Sequence, residues 1–153
     1  LKSRPATSSE SYSGEVYFKG GYFMHSLRYA LGDSLFFPIL YKFVTDSAYT
    51  YQNRVITDDF LVHVNKESRQ DYSSFFHLFL ETTDLPNVVV DSLGNRQWAV
   101  SIPNIDFELP MELEVDGELK RVIIGPEKVN LFADAAIVVD PRKWYLHQSD
   151  FAD

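Results

Sequence analysis

The sequence contains no cysteine, so neither a disulfide bond nor a thiolate-bound metal can form within this chain. The absence leaves the cellular compartment open, because many secreted proteins also lack disulfides. Basic residues are outnumbered: 14 Lys and Arg stand against 22 Asp and Glu, and the net charge is −8. A nucleic-acid partner requires a basic face, and no cluster of Lys or Arg offers one, so we expect no nucleic-acid binding. No apolar run approaches the ~20 residues of a membrane-spanning helix, so we expect no membrane span.

Large aromatic side chains are abundant instead. Of the 153 residues, 45% are hydrophobic and 15% are aromatic, with 12 Phe and 9 Tyr. These residues can build a globular core, since buried aromatic rings remove large areas from water. The first residue is Leu1 rather than Met, and we expect the chain to be a piece of a longer protein.

The character of the sequence changes near Pro86. Before it, apolar residues recur at helical spacing; after it, short β-branched runs alternate with turn residues. In the second part, Asp116-Gly117 is the strongest two-residue signal for a hairpin. We therefore predict an α+β protein in which a segment of three to four helices, residues 1–85, precedes a small antiparallel β-sandwich, residues 86–153.

Polar residues predict where the helices begin and end. Gly32 is placed to end the first helix, and Asp33 to cap the second. The hydroxyl of Thr57 and the carboxylate of Asp71 are predicted to cap the third and fourth helices in the same way. Pro38 lies inside the second helical segment, where it would remove one hydrogen bond and kink the helix.

The glycine pair Gly20-Gly21 interrupts the first helical pattern. Each glycine inside a helix costs about 1 kcal/mol relative to alanine. The pair is therefore expected either to precede the helix or to allow the close approach of another part of the backbone.

Residues with catalytic side chains give weaker signals. The closest histidines, His63 and His77, are too far apart for the H-x-x-x-H spacing of a helical zinc site. Lone histidines beside apolar faces are usually structural, which is the role expected of His25 and His77. The acidic pair Asp58-Asp59 is favoured as a helix start over an acid–base couple. The residue types leave a Ser/His/Asp triad open, although no G-x-S-x-G turn supports one.

Three blocks of the sequence resemble the M1 family of zinc aminopeptidases. The stretch VYFKGGYFMHSLRYALGDSLFFPIL is similar to the family's Y-x-K-G segment, in which a tyrosine heads a helix. The blocks ITDDF and DYSSFFHLFLETTDLP follow in the family's order and spacing, over roughly residues 12 to 86. The second half of the chain is similar, with less specific motifs, to the β-sandwich that follows the family's catalytic domain. Phe18 and Phe79 stand where Glu and Trp are common in the family.

The resemblance implies a peptidase whose metal site lies outside this chain. In the family, zinc is held by an H-E-x-x-H motif and a later Glu, and a G-x-M-E-N loop binds the amino terminus of the peptide substrate. Neither motif occurs here. The resemblance therefore implies an N-terminal catalytic half that is missing, zinc in the full-length enzyme, and no zinc bound by this chain alone.

Two tyrosines match active-site positions of the family. Tyr17 matches the catalytic tyrosine, whose protonated phenol donates a hydrogen bond to the oxyanion of the tetrahedral intermediate. The alternative for Tyr17 is a buried aromatic anchor at the start of the helix. Tyr12 matches a second tyrosine that lines the active site in several members, which implies a substrate-binding role; the alternative is an exposed loop residue. Lys19 would either neutralise a carboxylate of the full enzyme or remain solvated.

Two functions follow from the sequence. In the first, the chain is a fragment of a zinc-dependent aminopeptidase that removes N-terminal residues from peptides and is inactive alone. In the second, it is a non-catalytic scaffold or protein-interaction module derived from a peptidase fold.

Overall fold

Residues 14–50 and 54–152 of the chain are described by a computed structural model. The chain divides into two units, residues 1–82 and residues 83–153. Within the described residues, the first unit contains four helices and the second contains seven strands. The predicted α+β class, with a helical segment followed by strands, is confirmed.

The described residues of the first unit form four helices. They are α1 (Gly14–Leu31), α2 (Asp33–Thr45), α3 (Thr57–Ser68) and α4 (Ser73–Phe76), which continues as a π turn over His77–Glu81. Helix α2 runs through the exposed Pro38 to its end at Thr45. The proline therefore does not end the helix.

One face of α1 enters the core of the helical unit. It carries Phe23, Leu27 and Leu31, which follow the spacing i, i+4 and i+8 and are all buried. The ring of Phe23 packs edge-on against Phe76, with 4.8 Å between the ring centroids, and lies 5.8 Å from the ring of Phe75. Ring pairs at these distances stabilise a fold beyond the area that they bury. Aromatic side chains therefore join α1 to α4.

Gly32 ends α1, as predicted, and also begins α2. Its φ is +76°, a conformation that favours glycine, and its N–H donates to the carbonyl of Arg28 at 2.8 Å. The cap predicted at Asp33 is wrong, because Gly32 already occupies that position and Asp33 is the first helical residue. The carboxylate of Asp33 instead accepts two hydrogen bonds from the Arg28 guanidinium, at 2.7 and 2.8 Å. These bonds hold the pKa of Asp33 below its usual value.

The start of α3 is capped from inside the helix. The cap predicted at Thr57 is wrong, because the extended residue before the helix is Ile56 and Thr57 is already helical. Asp59 reaches back and accepts the N–H of Ile56 at 2.9 Å, so Asp58-Asp59 serves as an acidic helix start, as expected. The cap predicted at Asp71 is wrong by one residue, because Tyr72 occupies the cap position of α4; the Asp71 carboxylate still accepts the N–H of Ser73, the first residue of α4, at 2.9 Å.

The strands of the second unit form two sheets. The strands are β1 (Asn87–Gly94), β2 (Gln97–Ser101), β3 (Leu109–Val115), β4 (Glu118–Ile124), β5 (Val129–Phe132), β6 (Val138–Val139) and β7 (Gln148–Ala152). One sheet has the order β5-β2-β1-β7, and the other has the order β4-β3-β6. The strand pairs are antiparallel apart from β1 with β7, which is parallel. This parallel pair departs from the purely antiparallel arrangement that was predicted, because β7 returns to the sheet after a long connection rather than through a hairpin.

The predicted hairpin at Asp116-Gly117 is confirmed. Val115 pairs with Glu118 across the turn, and the φ angles of the two turn residues are +53° and +81°. Two successive positive φ angles define the turn whose twist matches that of antiparallel strands. Asp116 also accepts the N–H groups of Asp134 and Ala135, at 2.7 and 3.1 Å, which ties the turn to a second loop.

Strand β3 supplies the centre of the core of the second unit. Its alternate residues Leu109, Met111 and Leu113 are each at most 1% exposed. Val88 and Val90, which alternate in the same way along β1, are fully buried. Both sheets therefore contribute aliphatic side chains to this core.

Candidate functional site

Tyr17 lies near the start of α1, outside the face that enters the core. Its side chain is 65% exposed, and that of the neighbouring Phe18 is 82% exposed. The alternative role, a buried aromatic anchor, does not describe Tyr17; Phe23 takes that role about 1.7 turns later. Tyr12, the second candidate site residue, lies outside the described residues.

Lys19 donates hydrogen bonds to two backbone carbonyl groups. Its Nζ atom donates to the carbonyl oxygens of Leu80 and Thr82, at 2.9 and 3.1 Å. Both acceptors lie at the end of the π turn, where an ammonium group meets the negative end of the helix dipole. The Thr82 hydroxyl donates to a third carbonyl, that of Leu78, at 2.8 Å. Neither role expected of Lys19 from the sequence anticipates this contact.

The glycine pair Gly20-Gly21 lies inside α1. The expectation that both glycines precede the helix is therefore wrong. A Cβ atom added at either position would meet nothing within 4 Å, so no close approach of described backbone requires them. Among the described residues, none occupies the space beside α1 at these two positions.

Three of the four histidines lie in the helical unit, and each contacts another group of that unit. His25 is half-buried, and its ring meets that of Tyr22 edge-on with 5.8 Å between the centroids. His77 is exposed and pairs with Glu81 at 2.8 Å, one helical turn away. His63 is 5% exposed, and its Nε2 atom lies 3.0 Å from the carbonyl oxygen of Ile39. Among the described residues, no group of three His, Cys, Asp or Glu side chains converges on one point.

A Ser/His/Asp constellation does occur, near β7. Ser149 Oγ lies 3.0 Å from His147 Nδ1, and His147 Nε2 lies 3.8 Å from Asp140 Oδ2. The second distance is too long for a hydrogen bond. Both carboxylate oxygens of Asp140 already accept backbone N–H groups, from Trp144 at 2.9 Å and from Tyr145 at 2.8 Å. Asp140 therefore holds a loop in place, and the geometry does not favour a catalytic triad.

Two further carboxyl groups have a lowered pKa, and both lie at helix ends. The hydroxyl and N–H of Ser73 hydrogen-bond to Asp71 and hold the pKa of Asp71 below its usual value. The Lys42 ammonium, 2.5 Å from Glu67, lowers the pKa of Glu67 in the same way. Each shift has a structural cause, the stabilisation of a charged carboxylate by a local donor. Neither group is a candidate acid or base.

Comparison with protein-family models and with curated proteins gave no significant match. Among the helices of the described ranges, none combines the length and the apolar character that crossing a bilayer requires. Because neither comparison gave a match, the resemblance to the M1 family rests on the sequence motifs alone.

Proposed function

We propose that this chain is the C-terminal part of an M1-like zinc aminopeptidase, and that Tyr17 stabilises the oxyanion formed during peptide hydrolysis. The observation that carries the proposal is the position of Tyr17 on a helix with 65% of its side chain exposed. A tyrosine enclosed in the core of its own unit could not reach a substrate. The motif blocks V-Y-F-K-G-G, T-D-D-F and S-S-F-F support the same family.

The chemistry assigned to Tyr17 is the donation of one hydrogen bond. When water adds to the scissile carbonyl, negative charge develops on the carbonyl oxygen. A donor placed about 2.7–3.1 Å from that oxygen stabilises the transition state more than the ground state. A phenol on a helix is suited to this task because the helix backbone fixes where the ring begins.

The zinc ion that the resemblance implies does not fit the described residues, because no suitable group of ligands converges among them. In this proposal the ligands, and the groups that bind the amino terminus of the peptide, belong to the upstream half. This chain is assigned only the hydrogen bond from Tyr17 and, through Tyr12, a contact with the substrate.

The test is Tyr17→Phe in the full-length protein. We expect kcat to fall by about 10²–10³-fold, because one oxyanion donor is lost while the ring remains. Zinc content and folding should not change, since the hydroxyl is not a ligand in this scheme. Tyr41→Phe is the matched control, because Tyr41 is 70% exposed on α2 of the same unit. A normal kcat, or a loss of activity that follows a loss of zinc or of folding, would return Tyr17 to a structural role.

A non-catalytic interaction module is the second candidate, and one feature favours it. Phe37, Tyr41 and Val44 form a stripe on α2 at i, i+4 and i+7, and are 49%, 70% and 54% exposed. An exposed apolar stripe is typical of a surface that packs against another protein. The sequence encoded upstream separates the candidates: an H-E-x-x-H motif followed by a Glu supports the peptidase, and its absence supports the module.

A further inference from the structure

Helix α1 is attached to α4 at two points that lie one turn apart. Lys19 and Phe23 are at i and i+4, so their side chains leave the same face of α1. Phe23 packs against the rings of Phe75 and Phe76, and Lys19 donates to carbonyl oxygens at the end of the π turn that follows them. The apolar contact holds the middle of α1, and the polar contact holds the part that carries Tyr17.

The ammonium group of Lys19 is well suited to the carboxyl end of a helix. The carboxyl end of a helix carries partial negative charge and carbonyl groups without donors, and an ammonium group satisfies both requirements. Lys19 donates to the carbonyls of Leu80 and Thr82 at this end, and the Thr82 hydroxyl donates to that of Leu78. Hydrogen bonds from a charged donor are stronger than those between neutral groups.

The glycine pair makes this attachment matter for Tyr17. Gly20 and Gly21 lie between the two attachment points and stabilise the helix less than any other residue except proline. Without the Lys19 contact, the turn that contains Tyr17 would be joined to the anchored part of α1 through a short segment that contains both glycines.

We propose that Lys19 is the positioning residue for Tyr17: by capping the π turn of α4, it fixes the first turns of α1 and hence the place of the phenol. Lys19 does not touch the substrate in this scheme and acts through Tyr17. The catalytic consequence rests on the proposed function above, whereas the anchoring of α1 does not.

Hydrogen exchange of the 153-residue chain tests the anchoring. Lys19→Met keeps most of the aliphatic stem and removes the ammonium, and we expect the amides of residues 18–22 to exchange about tenfold faster. Lys19→Arg should retain the protection. Lys66→Met, which removes an exposed lysine from α3, is the matched control and should leave these amides unchanged. The double change Gly20→Ala with Gly21→Ala should restore protection in the Lys19→Met background. Unchanged exchange in Lys19→Met would overturn the anchoring.

Kinetics of the full-length protein test the positioning. We expect Lys19→Met to lower kcat by about 10–100-fold with KM within about twofold, because a small displacement of a catalytic group slows the chemical step. In a Tyr17→Phe background the same change should add little, since Lys19 acts through the hydroxyl that is already gone. If Tyr17→Phe lowers kcat and Lys19→Met does not, the positioning role alone is wrong. If Tyr17→Phe leaves kcat unchanged, the proposed function and with it the catalytic role of Lys19 are wrong, while hydrogen exchange still decides the anchoring.

Discussion

The helical unit and the β unit are each stabilised by a different set of internal contacts. In the described residues, the twelve largest fully buried side chains include only three from the helical unit, namely Leu27, Val64 and Phe75. The rest belong to the β unit, whose core is largely aliphatic and whose strands are joined by backbone hydrogen bonds. The helical unit is joined by aromatic rings, such as those of Phe23 and Phe76, and also by polar side chains at its helix ends, such as Asp59.

This difference indicates which perturbation each unit resists. Removing buried volume harms a unit in proportion to the cavity that remains, so the β unit should be the more sensitive to truncation in its core. Contacts between charged groups and helix ends weaken when the charge is removed, so the helical unit should be the more sensitive to pH. The two tryptophans, Trp98 and Trp144, both lie in the β unit, so their fluorescence reports on that unit, whereas ellipticity at 222 nm reports mainly on the helices.

The largest effect is expected from Leu113→Ala, at the centre of β3. Leu113 is 0% exposed, and its truncation should lower the free energy of unfolding of the β unit by about 2–5 kcal/mol. Urea unfolding followed by tryptophan fluorescence measures the loss. Leu119→Ala is the control, because Leu119 is 44% exposed on the neighbouring strand and should change stability by only about 0.5 kcal/mol. Similar losses in both variants would mean that the core does not carry the stability of this unit.

The sequence predicted the fold class because its signals are local. Hydrophobic period distinguishes helices from strands, and Asp116-Gly117 accommodates positive φ angles that few other residue pairs adopt. The caps at Asp33 and Thr57 were predicted wrongly for a local reason as well. Gly32 rather than Asp33 precedes α2, and Ile56 rather than Thr57 precedes α3, so each of these two predicted caps stood one residue too late.

The candidate site was less accessible to sequence reasoning. Tyr17 comes from the family motif, and its exposure depends on which face of α1 packs inward. The partners of Lys19 are backbone carbonyls at separations of 61 and 63 residues, and every residue type carries such a carbonyl. No side-chain pattern could therefore have predicted this contact. The parallel pairing of β7 with β1 is long-range in the same way.

A smaller effect, opposite in sign between the two units, is expected when glycine is replaced by alanine. Gly117→Ala should destabilise the β unit by about 1–2 kcal/mol, because its φ of +81° is unfavourable for any residue with a Cβ atom. Gly21→Ala should stabilise the helical unit by about 1 kcal/mol, because Gly21 is helical and an added Cβ meets nothing within 4 Å. Urea unfolding of each variant, followed by fluorescence for the first and by ellipticity for the second, gives both values. A destabilising Gly21→Ala would mean that something other than the described residues occupies the space beside α1.

The smallest effect concerns acid. Asp33, Glu67 and Asp71, all in the helical unit, have folded-state pKa values below the ordinary 3.8 for Asp and 4.5 for Glu. A lowered folded-state pKa contributes stability above the ordinary value and loses that contribution as pH falls through the lowered one. The urea midpoint followed at 222 nm should therefore fall as pH is lowered from about 5 to about 2, and only modestly, since exposed ion pairs contribute little. The double variant Asp33→Asn with Asp71→Asn should show a flatter pH dependence because two of the three groups no longer titrate. If this variant followed the same pH curve as the parent chain, the carboxylates at the helix ends would not be the source of the acid sensitivity, and the contrast between the two units would have to rest on core packing alone.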